Sequence, residues 1–142
     1  MVMTLDRQAK QKIVDAIRQA ERLTSGEVRV HLKNQCGQDV LAEAKKIFHR
    51  LNMHKTKQRS AVLILVCPKN RTFAILGDSG IHAKVGGPFW NGVRDAMTGH
   101  FKKDQFVEGI IAGVLQTGEA LKTHFPHTAG DVNQLPDEVT ED

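Results

Sequence analysis

The stretch Ala61-Val-Leu-Ile-Leu-Val-Cys67-Pro-Lys-Asn-Arg71-Thr-Phe-Ala-Ile-Leu76-Gly-Asp78 sets the architecture of this chain. Ala61–Cys67 is an unbroken apolar run, as a strand covered on both faces requires. Pro68-Lys-Asn-Arg71 is a tight turn. Thr72–Leu76 is then the return strand of a hairpin, antiparallel to the first. Upstream, Glu27-Val-Arg-Val-His-Leu-Lys33 alternates, as a strand with one wetter face does. Between the two strands, Val40, Leu41, Ala44, Ile47, Phe48 and Leu51 fall in one helical stripe over residues 39–52. A helical crossover makes the strands at 27–33 and 61–67 parallel, and it should be right-handed.

The flanks extend this core. Ala9, Ile13, Ala16, Ile17 and Ala20 mark a helix over 5–22, with Thr4 or Asp6 as its cap. Gly77–Gly87 reads as a glycine-rich loop. Phe89, Trp90, Val93, Ala96, Met97 and Phe101 define a third helix. Phe106, Ile110, Ile111, Val114, Leu115 and Leu121 define a fourth, whose glycines favour close packing on a neighbour. The order α-β-α-β-β-α-α calls for an α/β fold. The expected form is a three-layer α/β/α sandwich, Rossmann-like, with a small mixed sheet of three to four strands and helices on both faces.

A length of 142 residues favours one domain. It is placed at 1–125, followed by an acidic tail at 126–142 that reads as mobile. Within the tail, Asn133-Gln-Leu-Pro136 is a candidate docking piece. The net charge of +4 conceals an asymmetry, because all 20 Lys and Arg precede Pro126 while five acids follow it. A basic body attracts anionic partners, or is simply a solvated surface complemented by the tail. No apolar run is long enough to span a membrane, and no signal peptide is visible at the N-terminus. Cys36 and Cys67 show no spacing pattern. They read as free thiols of a reducing compartment, with Cys67 a small buried hydrophobe and a Cys36–Cys67 disulfide the minor reading. The expected location is cytoplasmic.

Strand direction carries a functional consequence. The two parallel strands begin at the edge of the sheet where the third ends. Ser25-Gly26-Glu27, Arg59 and Gly77-Asp78 should therefore converge, with the His54-Lys55-Thr56 connector feeding the same edge. Glu27 and Asp78 are candidate oxygen ligands for Ca²⁺ or another divalent cation. The same residues also read as an ion pair, Asp78–Arg59 or Glu27–Lys55, that closes the end of the sheet. His54, Lys55, Thr56, Arg59, Ser79 and Gly80 are candidates for holding a small polar or anionic ligand. His54 and His82 lie where a proton shuttle would be useful, or serve as hydrogen-bonded structural groups.

Other motifs exclude chemistry. Gly77-Asp78-Ser79-Gly80 matches the nucleophile turn of trypsin-like proteases, but three strands cannot build their two barrels. The seven histidines form no strong zinc signature. No phosphate-loop motif occurs, and Gly86-Gly87-Pro88 is a weak anion signal because proline removes a donor. The basic run Arg50, Lys55, Lys57 and Arg59 lacks interleaved aromatics, which argues against nucleic acid.

Met53-His-Lys-Thr-x-x-Arg59, the apolar strand, and Phe73-Ala-Ile-Leu-Gly-Asp-x-Gly-Ile-His82 with Phe89-Trp90 together resemble the TPM-domain family. Thr24-Ser-Gly-Glu27 and Phe106-x-x-Gly109 fit the likeness, which covers residues 5–125. The tail Asp131-Val-Asn-Gln-Leu-Pro-Asp137 is similar to the ending of short bacterial members. The resemblance implies an α/β/α sandwich, calcium binding and, from a plant member, acid phosphatase activity. Of the acidic loop cluster tied to that activity, Glu27 and Asp78 match, and around residues 33–39 only Asp39 is acidic.

The leading expectation is a binding or accessory module, most simply a monomer, whose Glu27/Asp78 edge takes a divalent cation or small polar ligand, with an unknown protein partner. The alternative is a metal-assisted phosphatase. There Asp78 would hold the ion or attack phosphorus, Arg59 and Lys55 would bind phosphate oxygens, and His82 or His54 would move a proton. A further alternative is an anion or nucleic-acid binder using the basic body.

Overall fold

The computed structural model describes residues 5–127 and 138–142. Its elements are α1 (Arg7–Glu21), β1 (Glu27–Leu32), α2 (Val40–Arg50), β2 (Ala61–Cys67), β3 (Thr72–Gly77), α3 (Ser79–Phe101), α4 (Phe106–His124) and β4 (Val139–Glu141). Short 3-10 turns at Met53–Lys55 and Pro68–Asn70 lead into and out of β2. The sheet runs β3-β2-β1-β4. β1 and β2 are parallel, with Glu27 beside Ala61. β2 and β3 are antiparallel, with Val62 beside Gly77. The expected mixed α/β sandwich and its strand directions are therefore present.

Alternation along each strand divides the core. Val28, Val30, Val62, Ile64, Val66 and Ile75 face α1, α3 and α4. Ala61, Leu63, Leu65, Cys67 and Ala74 face α2. Every residue of β2 is buried, which explains its continuous apolar sequence. α4 lies against both α1 and α3. A Cβ at Gly113 would meet Met97, and one at Gly118 would meet Ala20, so small residues bring the helices together.

Three expectations are corrected. The Gly77–Gly87 loop is mostly helix: α3 starts at Ser79, breaks at Gly86 (φ 73°) and resumes through Pro88. Ile81 is wholly buried, and with Val85 it forms a helical i, i+4 pair that the surrounding glycines mask. Second, the end of the tail contains a strand. Val139–Glu141 pairs in parallel with Val30–Leu32 as β4. The candidate docking piece at 133–136 lies outside the described residues. Third, Cys36 and Cys67 form a disulfide, their Cα atoms 5.9 Å apart. It ties the loop after β1 to the end of β2, and both cysteines are buried. That pairing removes the free-thiol basis for expecting a reducing compartment.

Candidate functional site

At the edge where β1 and β2 begin and β3 ends, backbone bonds knit three segments together. Glu27 N–H donates to Ser60 O at 3.4 Å, and Asp78 N–H donates to Ala61 O at 2.9 Å. Glu27 and Asp78 thus flank the small side chain of Ala61, on the α2 side of the sheet. Both are buried, at 2% and 7% exposure. The sequence-based expectation that these carboxylates share one rim holds.

Their engagements decide what the rim can do. Arg59 Nε donates to Asp78 Oδ2 at 2.7 Å, and its Nη2 donates to Oδ1 at 2.8 Å. Asp78 Oδ1 also accepts from Ser79 N–H at 2.7 Å and so caps α3. The Arg59 pKa is raised by its hydrogen bonds to Asp78 and by that carboxylate's charge. The expected Asp78–Arg59 ion pair is therefore present at this end of the sheet. Among the described residues, no three His, Cys, Asp or Glu side chains come together as a metal cluster. Glu27 is not free either. A hard cation seeks six or more oxygens, and both oxygens of Asp78 already accept hydrogen bonds within the protein.

The strand-to-helix motif is a packing device around the same pair. A Cβ at Gly77 would lie 2.4 Å from the Trp90 ring. Trp90 is buried, and its Nε1 donates to His82 Nδ1 at 3.1 Å. A Cβ at Gly80 would collide with the carbonyls of Gln58 and Arg59. Instead, Gly80 N–H donates to Arg59 O at 2.8 Å, joined by Ile81 N–H at 3.3 Å. These bonds, with the guanidinium contacts, hold Arg59 at φ 53°, a region that residues other than glycine rarely enter. The amides at the start of α3 are consumed by the protein itself.

The remaining candidates separate. Thr56 is buried, and its Oγ1 accepts from Ser60 N–H at 3.2 Å, shaping the turn before β2. The His54 ring lies tilted against His49, ring centroids 4.3 Å apart. Its pKa is lowered by desolvation first and by the neighbouring His49 next. Lys55 and Ser79 are exposed. Ser25 Oγ donates to Gln58 Oε1 at 2.7 Å, tying the start of β1 to the same connector.

A cleft of about 200 Å³ opens beside the ion pair, lined by Lys45, Phe48, His49, Arg59, Leu76, Gly77 and Asp78. The Arg59 side chain is half exposed. Sequence reasoning named neither Lys45 nor His49 as a site residue. Their i, i+4 spacing near the end of α2, the helix covering this rim, was the available signal.

Comparison with known proteins agrees with this frame. A family model of the TPM domain matches residues 2–120. The NMR structure of the BA42 protein from the psychrophilic bacterium Bizionia argentinensis is 38% identical, with a TM-score of 0.91, covering 100% of this chain and 99% of that one. Two further NMR structures share the fold. The N-terminal domain of a protein from P. gingivalis is 19% identical with a TM-score of 0.70, covering 87% of this chain and 82% of that one. The N-terminal domain of the cg2496 protein from Corynebacterium glutamicum is 10% identical with a TM-score of 0.60, covering 92% of this chain and 82% of that one. No curated protein matches. The motif that surrounds Asp78, the sandwich built on it and the family match together make this chain a member of the TPM-domain family.

Proposed function

We propose that this TPM domain is a ligand-binding accessory module, and that its rim takes a small anion such as a phosphate or carboxylate group. One observation carries the reading. The Arg59 guanidinium is anchored on buried Asp78 yet half exposed, beside Lys45 and His49 in a single cleft. Anchoring orders the guanidinium before a ligand arrives, so less freedom is lost on binding. The carboxylate is already matched by Arg59, and Lys45, which lines the cleft, has no ion-pair partner among the described residues.

The divalent-cation reading of Glu27 and Asp78 requires an ion to displace that guanidinium. Asp78 uses both oxygens within the protein. The metal-assisted phosphatase reading depends on the same exchange and ranks behind it. His82, a proton shuttle in that reading, accepts the Trp90 indole proton on Nδ1. No helix among the described residues is long and apolar enough to cross a membrane.

Titration of the ¹⁵N-labelled protein with inorganic phosphate, at constant ionic strength, tests the proposal. Amide shifts are expected at Lys45, His49, Arg59 and Asp78–Gly80, following one saturating curve. Shifts spread evenly over the basic surface, or none, contradict it. A parallel calcium titration that saturates at Glu27 and Asp78 favours the cation reading instead.

A further inference from the structure

The other edge of the sheet, at β4, holds a second arrangement that the rim does not use. β4 spans three residues and pairs only with Val30–Leu32 of the six-residue β1. Polar contacts hold it. Arg50 Nη2 donates to both oxygens of Asp142 at 2.8 Å. His31 Nε2 lies 3.2 Å from Asp142 Oδ2, and His31 Nδ1 bonds Thr140 Oγ1. Lys10 pairs with Glu141, and Asp142 N–H donates to Leu32 O at 2.9 Å. Val139 is the apolar anchor, packed against the main core. The cations are Lys10 of α1 and Arg50 of α2, and β1 adds the His31 imidazole as a hydrogen-bonding group. The acids come only from the chain's end.

We propose that this edge of β1 is a docking groove for an acidic, extended segment of a partner protein, and that Glu138–Asp142 is a displaceable occupant of it. Three observations support the assignment. The charges are complementary, basic on the body and acidic on the strand. The hold is weak in kind, because ion pairs with exposed members contribute little each and a three-residue strand makes few ladder bonds. The groove also continues past the occupant. A cavity of about 230 Å³ adjoins Glu141 and Asp142 and is bounded by Leu5, Lys10, Leu32, Asn34 and Pro68. A partner strand that runs on through it gains contacts that Glu138–Asp142 does not make. Recognition would proceed by strand addition: backbone bonds to β1 for affinity, with Lys10, His31 and Arg50 selecting acidic and hydroxyl side chains. The chain's own end competes as a tethered ligand at an effective concentration on the order of millimolar, and so sets a threshold that a partner must exceed.

The test uses the full chain and a labelled synthetic peptide of residues 131–142. Neutralising the occupant with Glu141→Gln and Asp142→Asn should raise affinity for the peptide by about tenfold or more, because the tethered competitor is weakened. The same peptide carrying those two substitutions should bind the variant at least about tenfold less tightly, as loss of the charge-assisted bonds implies. Adding Arg50→Glu to the variant should abolish binding while the amide spectrum elsewhere stays folded. Equal affinity of wild type and variant, or of the two peptides, overturns the proposal. So does unfolding of the double variant, because β4 would then be a fixed part of the core. Wild-type dimers that vanish in the variant would assign the groove to a second copy and overturn the partner assignment.

Discussion

Arg59 grips Asp78 with two hydrogen bonds across nineteen positions of sequence, while Asp78 caps the helix that begins at the next residue. One buried carboxylate thus joins the connector before β2 to the start of α3. Removing it breaks both links. Asp78→Ala should destabilise the domain by about 1–2 kcal/mol through the lost cap alone. Arg59→Gln, at a half-exposed position, should destabilise it less. Urea unfolding of the two variants checks the order, and equal or reversed effects would contradict it.

Gly77 and Trp90 give a second prediction. Because a Cβ would intrude on the indole ring, Gly77→Ala should displace Trp90 and cost about 1–3 kcal/mol through overpacking. Trp90 is the chain's one tryptophan, so its fluorescence reports the change directly. A red-shifted emission with lowered stability is expected. An unchanged spectrum would show that the ring does not rest on this glycine.

Stability should fall on mild acidification. His31 is held below its ordinary 6.5 chiefly by desolvation, with Asp142 opposing. His54 is lowered as well, first by desolvation. A base with a lowered folded pKa gains its proton first in the unfolded chain. Its contribution is whole above about 6.5 and is lost as pH falls from there toward the lowered value. Denaturant titrations near pH 7.5 and pH 5.5 should differ in that direction, and His31→Asn should narrow the gap. Equal stabilities would contradict the burial of a neutral imidazole. Asp142, lowered by Arg50, adds a separate loss only at much stronger acidity.

The Cys36–Cys67 bond encloses a sequence separation of 31 residues. On the chain-entropy account, reducing it should destabilise the domain by about 3–4 kcal/mol. Thermal unfolding with and without a thiol reductant measures this. A melting temperature indifferent to reductant, with both thiols titrating as free, would restore the free-thiol reading.

The sheet was legible because its signals are local. A seven-residue apolar run, an alternating strand and a proline turn gave strand positions, and helix length gave their directions. The rim followed from those directions, which is why Glu27, Arg59 and Asp78 could be brought together from chain direction alone. The start of α3 was hidden because Gly80, Gly86, Gly87 and Pro88 weigh toward loop. Two of those glycines answer to other demands: Gly80 to the carbonyls at 58–59, while Gly86 makes the kink. β4 was hidden because three residues are too few to show an alternating pattern; its partners Lys10, His31 and Arg50 lie 92 positions or more away. The disulfide was hidden for the same reason, since no spacing rule links positions 36 and 67. Lys45 looked like any solvated lysine until α2 was laid beside the end of β3.

The claim that the Arg59 rim binds an anion is tested most directly by calorimetric titration of phosphate into four proteins at fixed ionic strength: wild type, Arg59→Gln, Lys45→Gln and the distant control Lys103→Gln. One site is expected in wild type and in the control, with affinity lost by about tenfold in each rim variant as a charge-assisted bond is removed. Equal weakening in all three variants would mean a diffuse surface charge. Unchanged binding in Arg59→Gln would place the site elsewhere.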